Sequence, residues 1–487
     1  HKPHAQLQLP LQMSGIAGVY SFDGRPVGRE VDRMVEAMEH RGPDGIQTWC
    51  DGSVGLGHCM LETTPEDQYE SLRIDNRSSL IGQLNVEKKD QTVTDSDIIL
   101  ESYKKWGTKC PNKIVGAFAF LIWDSVRKRL VCVRDKLGVN TLYYRESKNN
   151  KFSLATEIKS LFASGRFEKK INEKEVARIL ALLRNDKKET LYEGVKRLGP
   201  GHLLVIEESN VRIEKYWEIS EQSRELSFNN EEYAEVFRDK LKEAVKCRTR
   251  SNTPIASQLS GGLDSSFVTA LANECTENES IHTLSLIFSE YKSCDERDYI
   301  CKVIDKIDSI EHYIDIDQYG PLENIEKIYK YQDDGIANAN HYSFWEMFAE
   351  ANNQGVRVVL DGLDGDTAVM HGLLYLRKLA SHFQWKSFYS EARKLAYVHT
   401  NAEYRQEFIE TISDPDKIFW QFGFPIIEEA AAQSNFMQVL RHIYNIKNNS
   451  ITDSVEVIKR IWRRTIAPHN LVKMRDKKRE KELYRDK

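Results

Sequence analysis

From Ile16 to about Ile206, short runs of mixed apolar and β-branched residues predict strands, with only a few helical stretches between them, among them Arg29–His40 and Asp97–Trp106. Such a pattern describes a layered α+β domain. The stretch Trp217–Asn230, rich in Ser, Glu and Asn and poor in large apolar residues, reads as a linker. A helix over Glu231–Cys247 then opens a different rhythm: strand Ile255–Leu259, helix Ser266–Asn273, strand Ile281–Phe288, helix Asp295–Ile307, strand His312–Ile316, helix Tyr342–Ala351 and strand Val356–Leu360. This alternation predicts an α/β domain, a parallel sheet with helices on both faces, whose ligands bind at the carboxyl ends of the strands. The loops after 259, 288 and 360 are therefore where chemistry is expected. Residues from about 377 to 487 read as helices of mixed charge ending in a run of Lys, Arg and Glu.

At 487 residues the chain exceeds one ordinary core and predicts two domains, 14–216 and 231–487, joined by the linker 217–230. Residues 1–13 lack the features of a secretory signal and are read as a tag or leader ending at Met13. Lys plus Arg total 69 against 74 Asp plus Glu, a net charge of -5, which gives no basic field to recruit nucleic acid. The eight cysteines form no Cys-x-x-Cys pair and no zinc spacing, so they are expected to be reduced, buried thiols of a cytoplasmic protein. The longest apolar stretch, Ala117–Trp123, is far short of the roughly 20 residues that cross a bilayer. A small-molecule or peptide substrate is the expectation, with neither nucleic acid nor membrane as partner.

After the strand ending at Leu259 comes Ser260-Gly261-Gly262-Leu263-Asp264-Ser265-Ser266, which runs directly into a helix. Glycines let backbone approach phosphates, and hydroxyls and free N–H groups at a helix start bind oxyanions, aided by the helix dipole. Asp264 can hold a magnesium ion that neutralises leaving pyrophosphate. No Gly-Lys-Ser/Thr follows, so this is not a Walker loop. The string resembles the pyrophosphate loop of the N-type ATP pyrophosphatases, which include asparagine synthetase, β-lactam synthetase and the lasso-peptide cyclases. That resemblance implies a Rossmann-like adenylating domain using ATP and Mg2+, with cleavage between the α and β phosphates and AMP passed to a carboxylate.

Asp361-Gly362-Leu363-Asp364-Gly365-Asp366-Thr367, after the strand Val356–Leu360, resembles a second motif of asparagine synthetases. The resemblance puts Asp366 on the magnesium-binding aspartate and Gly362 on the glycine that approaches the nucleotide. Leu363 stands where asparagine synthetase has a glutamate, and leucine cannot accept a proton. Asp364, His371 and Asp334 are the candidate bases in its place, His371 having a suitable ordinary pKa. Leu284-Ser285-Leu286 resembles the segment bordering adenine, and Cys294-Asp295-Glu296-Arg297 the acidic pair beyond it, unless those acids are helix-start residues. The late lysine that family members carry is not found; Arg463, Arg464 and Lys473 are its possible stand-ins.

The amino-terminal half is similar to the class II glutaminases, an Ntn-hydrolase-like sandwich, through strings spread over 14–165. They are Gly15-Ile16-Ala17-Gly18-Val19, Arg41-Gly42-Pro43-Asp44-Gly45, Gly57-His58, Phe118-Ala119-Phe120, Arg134-Asp135-Lys136-Leu137-Gly138 and Ala155-Thr156-Glu157-Ile158-Lys159. Those enzymes use an amino-terminal cysteine as nucleophile. Here Ser14 occupies that place, Met60 replaces the arginine that binds glutamine's carboxylate, and Ile81 replaces the asparagine of the oxyanion pair with Gly82. A degenerate half that does not hydrolyse glutamine is expected.

An adenylating half without an ammonia supply takes its amine elsewhere. The second motif looks most like the lasso-peptide cyclase branch, which implies joining an Asp or Glu side chain to a peptide's own α-amine as a macrolactam. With a pKa of roughly 8, that amine is partly neutral at physiological pH and needs less help than ammonia. The resemblance also implies a leader-peptide-binding protein and a leader protease as partners. An asparagine synthetase using ammonia or glutamine, and a catalytically inactive ATP-binding scaffold, stay open as alternatives.

Overall fold

The computed structural model describes residues 7–8, 15–64, 73–86, 93–147, 150–165, 167–180, 188–208, 210–219, 229–276, 280–333 and 340–363, with single positions out to 391. Residues up to Gly362 form one compact unit and 363–487 a second. Within the second, the N–H of Phe388 donates to Gln384 at 2.9 Å, and Leu379 and Phe388 are buried.

The first unit begins with two antiparallel sheets. One runs, in spatial order, Leu7–Gln8, Ala119–Asp124, Arg129–Arg134, His202–Glu207 and Asn210–Lys215; the other Lys196–Arg197, Tyr143–Ser147, Lys151–Ala155, Gly15–Ser21, Val54–Met60 and Gly45–Asp51. Ile16, Leu56 and Leu154 of the second sheet meet Leu121, Leu130 and Leu204 of the first in a shared core. The outer faces are covered too: Val31, Met34, Ile158 and Leu161, from two helices, pack on Ala17, Val19 and Ala155. Leu80, Ile98, Ile99 and Tyr103 pack on Phe120, Ile122 and Val133 across the other sheet. Buried on both faces, Gly15–Ser21 and Ala119–Asp124 are apolar along most of their length rather than alternating, with polar Ser21 and Asp124 only at their ends.

A four-stranded parallel sheet follows, in the order Ser309–Asp315, Ile281–Ile287, Ile255–Gln258, Val358–Leu360. Leu271 and Ala272 of the helix Leu263–Cys275 and Val245 of the helix Asn230–Arg248 cover one face. Met347 and Ala351 of the helix His341–Asn353 cover the other. The chain steps outward from Ile255–Gln258 twice and then returns to its opposite flank, so strand order reverses between Ile255–Gln258 and Val358–Leu360. In open parallel sheets that reversal opens a crevice beyond the carboxyl ends.

Three expectations are corrected. Only Cys59, Cys110 and Cys132 of the eight cysteines are buried, whereas Cys50, Cys294 and Cys301 are exposed. The helix expected from Asp295 begins at Arg297, because the Arg297 guanidinium holds the Asp295 carboxylate at 2.8 and 3.0 Å in an extended backbone. Arg77–Leu84 is a helix, stopped by Asn85 in the left-handed conformation at φ 52°, where no helix was read.

Candidate functional site

The carboxyl end of Ile255–Gln258 leads through Leu259 and Ser260 to a helix whose N-cap, Gly262, supplies no side-chain cap. The first N–H groups of any helix lack intrahelical partners, and here Leu263, Asp264 and Ser265 carry them. Serine hydroxyls shape the turn. Ser260 Oγ and Ser265 Oγ lie 3.0 Å apart, the Ser260 N–H donates to Ser265 Oγ at 3.3 Å, and the Gly262 N–H to Ser260 Oγ at 3.4 Å. Ser266 Oγ is buried with no hydrogen-bond partner. Beneath the turn, Ser285 Oγ donates to the Leu259 carbonyl at 2.7 Å, and the Leu259 N–H to the Leu284 carbonyl at 2.9 Å.

Two glycines are dictated by close approach. Gly261 sits at φ +78°, and a Cβ there would fall 2.5 Å from Tyr299 Cβ and 2.9 Å from the Ile300 nitrogen. A Cβ on Gly362, just past Val358–Leu360, would fall 2.5 Å from the Ser265 nitrogen and 2.8 Å from the Asp264 carbonyl carbon. The two loops flanking the strand-order reversal are therefore in backbone contact. An uncapped helix start, a buried free hydroxyl and a side-chain-free approach form a cradle suited to a polyphosphate. Asp264 lies in the first turn of this helix, a carboxylate that could hold a cation beside a bound polyphosphate. Among the described residues, no group of three His, Cys, Asp or Glu side chains is arranged for a metal ion.

Leu284 is buried beneath the helix His341–Asn353, so its side chain serves the core and its backbone faces the loop. Leu286 is partly buried against the same core. Leu363 is mostly exposed. Asp334, Asp364, Asp366 and His371, with Arg463, Arg464 and Lys473, lie outside the described residues, as does Ser14.

Two features of the amino-terminal half bear on glutamine chemistry. Met60 is buried, and Ile81 with Gly82 lies inside the helix Arg77–Leu84, Ile81 packing on the core. Helical N–H groups are engaged along the ladder and cannot serve as oxyanion donors. Cys59, in register with Gly15, is no substitute nucleophile: burial, and secondarily the Glu157 charge, push its thiol to about 12.

Sequence reasoning missed one group of residues. Glu157 is buried, and although burial alone would raise its pKa, His40, Arg41 and Lys159 bring it down to about 2. Beside it, Asp333 Oδ2 accepts from the Ile158 N–H at 2.5 Å and Oδ1 pairs with Lys159 at 3.3 Å. Asp44 takes a two-armed bond from Arg357 at 2.6 and 2.9 Å. The strings Arg41–Gly45 and Ala155–Lys159 were the available signal, legible as markers of fold but silent about partners.

Residues 236–481 match the asparagine synthase family, and 13–68 with 73–217 match the glutamine amidotransferase domain. The chain belongs to the asparagine synthase family. Among its relatives, a Methanocaldococcus jannaschii protein named for asparagine synthetase is 29% identical over 389 residues, 73% of this chain and 74% of that one. Asparagine synthetase 3 of Bacillus subtilis is 26% identical over 366 residues, 68% of this chain and 59% of its own. Amidase chry2 of Gibberella zeae is 28% identical over 386 residues, 72% and 56% respectively. The chain thus spans less than two thirds of the length of the latter two relatives. Among solved structures, glutamine phosphoribosylpyrophosphate amidotransferase of Bacillus subtilis covers 71% of this chain and 90% of its own at 13% identity, with a TM-score of 0.32.

Proposed function

We propose that this member of the asparagine synthase family activates a carboxylate as its adenylate and joins it to an amine other than glutamine's. Family membership indicates an ATP-dependent ligase forming carbon–nitrogen bonds. The uncapped helix start beside Gly362 is the feature that suits the α–β cleavage: its N–H groups would bind the departing pyrophosphate, and Asp264 would hold a magnesium ion to neutralise its charge. A good leaving group on the acyl carbon then lets an amide form in water.

The observation that carries the choice of amine is Ile81-Gly82 within a helix, with Met60 buried, which removes the oxyanion donors and the anchor that glutamine hydrolysis needs. The preferred reaction is macrolactam closure of the lasso-peptide type, in which an Asp or Glu side chain meets the peptide's own α-amine. A leader-peptide-binding protein and a leader protease belong to that reading as partners, and the cytoplasm is its location. Among the described residues no helix is long and apolar enough to cross a membrane. A second reading, an asparagine synthetase using ammonia or glutamine, is favoured by the names of the Methanocaldococcus and Bacillus relatives, which are glutamine-hydrolysing asparagine synthetases by name.

The test is mass spectrometry of a reaction with aspartate, ammonium and MgATP, with pyrophosphate followed in parallel. The cyclase reading expects no asparagine from these substrates, and loss of one water from a peptide bearing a free α-amine and an internal Asp or Glu. Asparagine accumulating with pyrophosphate would overturn it in favour of the synthetase.

A further inference from the structure

Met60 and Ile81 do not suit glutamine chemistry, yet Asp44, the Ile158 N–H and Lys159 of the same half all bond residues of the parallel-sheet half. The amidotransferase half has thus kept its attachments while lacking groups for catalysis. One attachment reaches the nucleotide loop. Asp44 receives both arms of Arg357, at 2.6 and 2.9 Å, and Arg357 Nη1 donates also to the Glu62 carbonyl at 2.9 Å. The Glu62 N–H closes the ring on Asp44 Oδ2 at 2.8 Å. Burial raises the pKa of Asp44, but Arg357 and the Glu62 N–H outweigh it and hold the carboxyl below its usual range, so it is ionised at neutral pH.

Arg357 immediately precedes the strand Val358–Leu360, and the far end of that strand delivers Gly362 to the Ser265 nitrogen. A strand of three residues spans only about 10 Å, so its start and end move together. Arg357 is gripped by a planar, two-armed contact that a flexible lysine cannot reproduce.

We propose that Asp44 is a positioning residue for the nucleotide loop, acting from the amidotransferase half through Arg357 and the strand Val358–Leu360. This rests on the reading of Ser260–Ser266 as the ATP site. The amidotransferase half is then a frame that sets the distance between Gly362 and the helix start.

The experiment is calorimetric titration of MgATP into the full chain, with thermal midpoints measured alongside. Asp44→Asn and Arg357→Gln are each expected to raise the Kd about tenfold, and the pair together no further. Arg357→Lys, which keeps the charge without the fork, is expected to raise it about threefold, and the exchange Asp44→Arg with Arg357→Asp to recover most of the affinity. Arg248→Gln breaks a comparable tie to Asp75, at 2.8 Å, that does not involve this strand. It is expected to lower the thermal midpoint and leave the Kd unchanged. Wild-type affinity in folded Asp44→Asn and Arg357→Lys, or a Kd that tracks the thermal midpoint in every variant, would overturn the positioning role. A wild-type chain that takes up no MgATP would instead strike the ATP reading itself.

Discussion

Substituting alanine for Gly362 adds one methyl group at the tightest backbone approach in the site. Its Cβ would stand 2.5 Å from the Ser265 nitrogen, 2.8 Å from the Asp264 carbonyl carbon and 2.9 Å from Ser265 Cα. All three are backbone atoms, so no side chain can rotate away. Ordinary contact begins near 3.4 Å, and going from 2.5 to 3.4 Å requires the loops to part by 0.9 Å. A misplacement of about 1 Å in a reacting geometry costs roughly a hundredfold in rate, or about 2.7 kcal/mol of barrier. Gly362→Ala should therefore release pyrophosphate about a hundredfold more slowly and bind MgATP more weakly, while its thermal midpoint changes little, since the strand Val358–Leu360 is short and, among the described residues, at the end of its sheet. Pyrophosphate release under single-turnover conditions, with calorimetric MgATP binding, separates the two effects. A variant within twofold of wild type in both would refute the idea that Gly362 and Ser265 jointly frame the nucleotide.

The buried Glu157 has a pKa of about 2 against an ordinary 4.5, so its ion pairs contribute about 3 kcal/mol above pH 4.5, lost as pH falls from 4.5 toward 2. Glu157→Gln should flatten stability over that window in urea unfolding, and an unchanged slope would count against the cluster. His58 is buried with Nε2 unpartnered, and burial pushes its pKa down to about 4. Because the unfolded chain takes up the proton near pH 6.5 and the folded chain only near 4, His58 costs up to about 3 kcal/mol as pH falls between them. His58→Leu should remove that loss and raise the thermal midpoint at pH 5, and a midpoint still falling as in wild type would contradict it. Met60→Arg should release no glutamate from glutamine and should lower the thermal midpoint by burying an unpaired charge; measurable glutamate would show that the helical Ile81-Gly82 is not the obstacle.

The parallel-sheet half was legible because its signals are local. The strands Ile281–Ile287 and Val358–Leu360 are compact, mostly apolar runs, whereas Ser309–Asp315 is largely polar and is legible only from His312 on; the Ser260–Ser266 string sits between a strand and a helix start, where its glycines and hydroxyls have an obvious use. The helix Arg77–Leu84 was hidden because only Leu80, Ile81 and Leu84 are apolar, too few for a clear period, so Ile81-Gly82 was weighed only as a pair of donors. The attachments between the halves were invisible for another reason. Asp44 and Arg357 are 313 positions apart, and a single sequence says nothing of which distant charges meet. The exposed cysteines, Cys50 on a strand and Cys294 and Cys301 in helical segments, were not legible because composition does not tell a buried thiol from an exposed one.

The central claim is tested most directly by supplying an accepted peptide with its reacting carboxylate labelled with oxygen-18 and reading the nucleotide product. Adenylation predicts AMP carrying one labelled oxygen, together with pyrophosphate in equal amount. ADP and inorganic phosphate, or AMP without label, would contradict it.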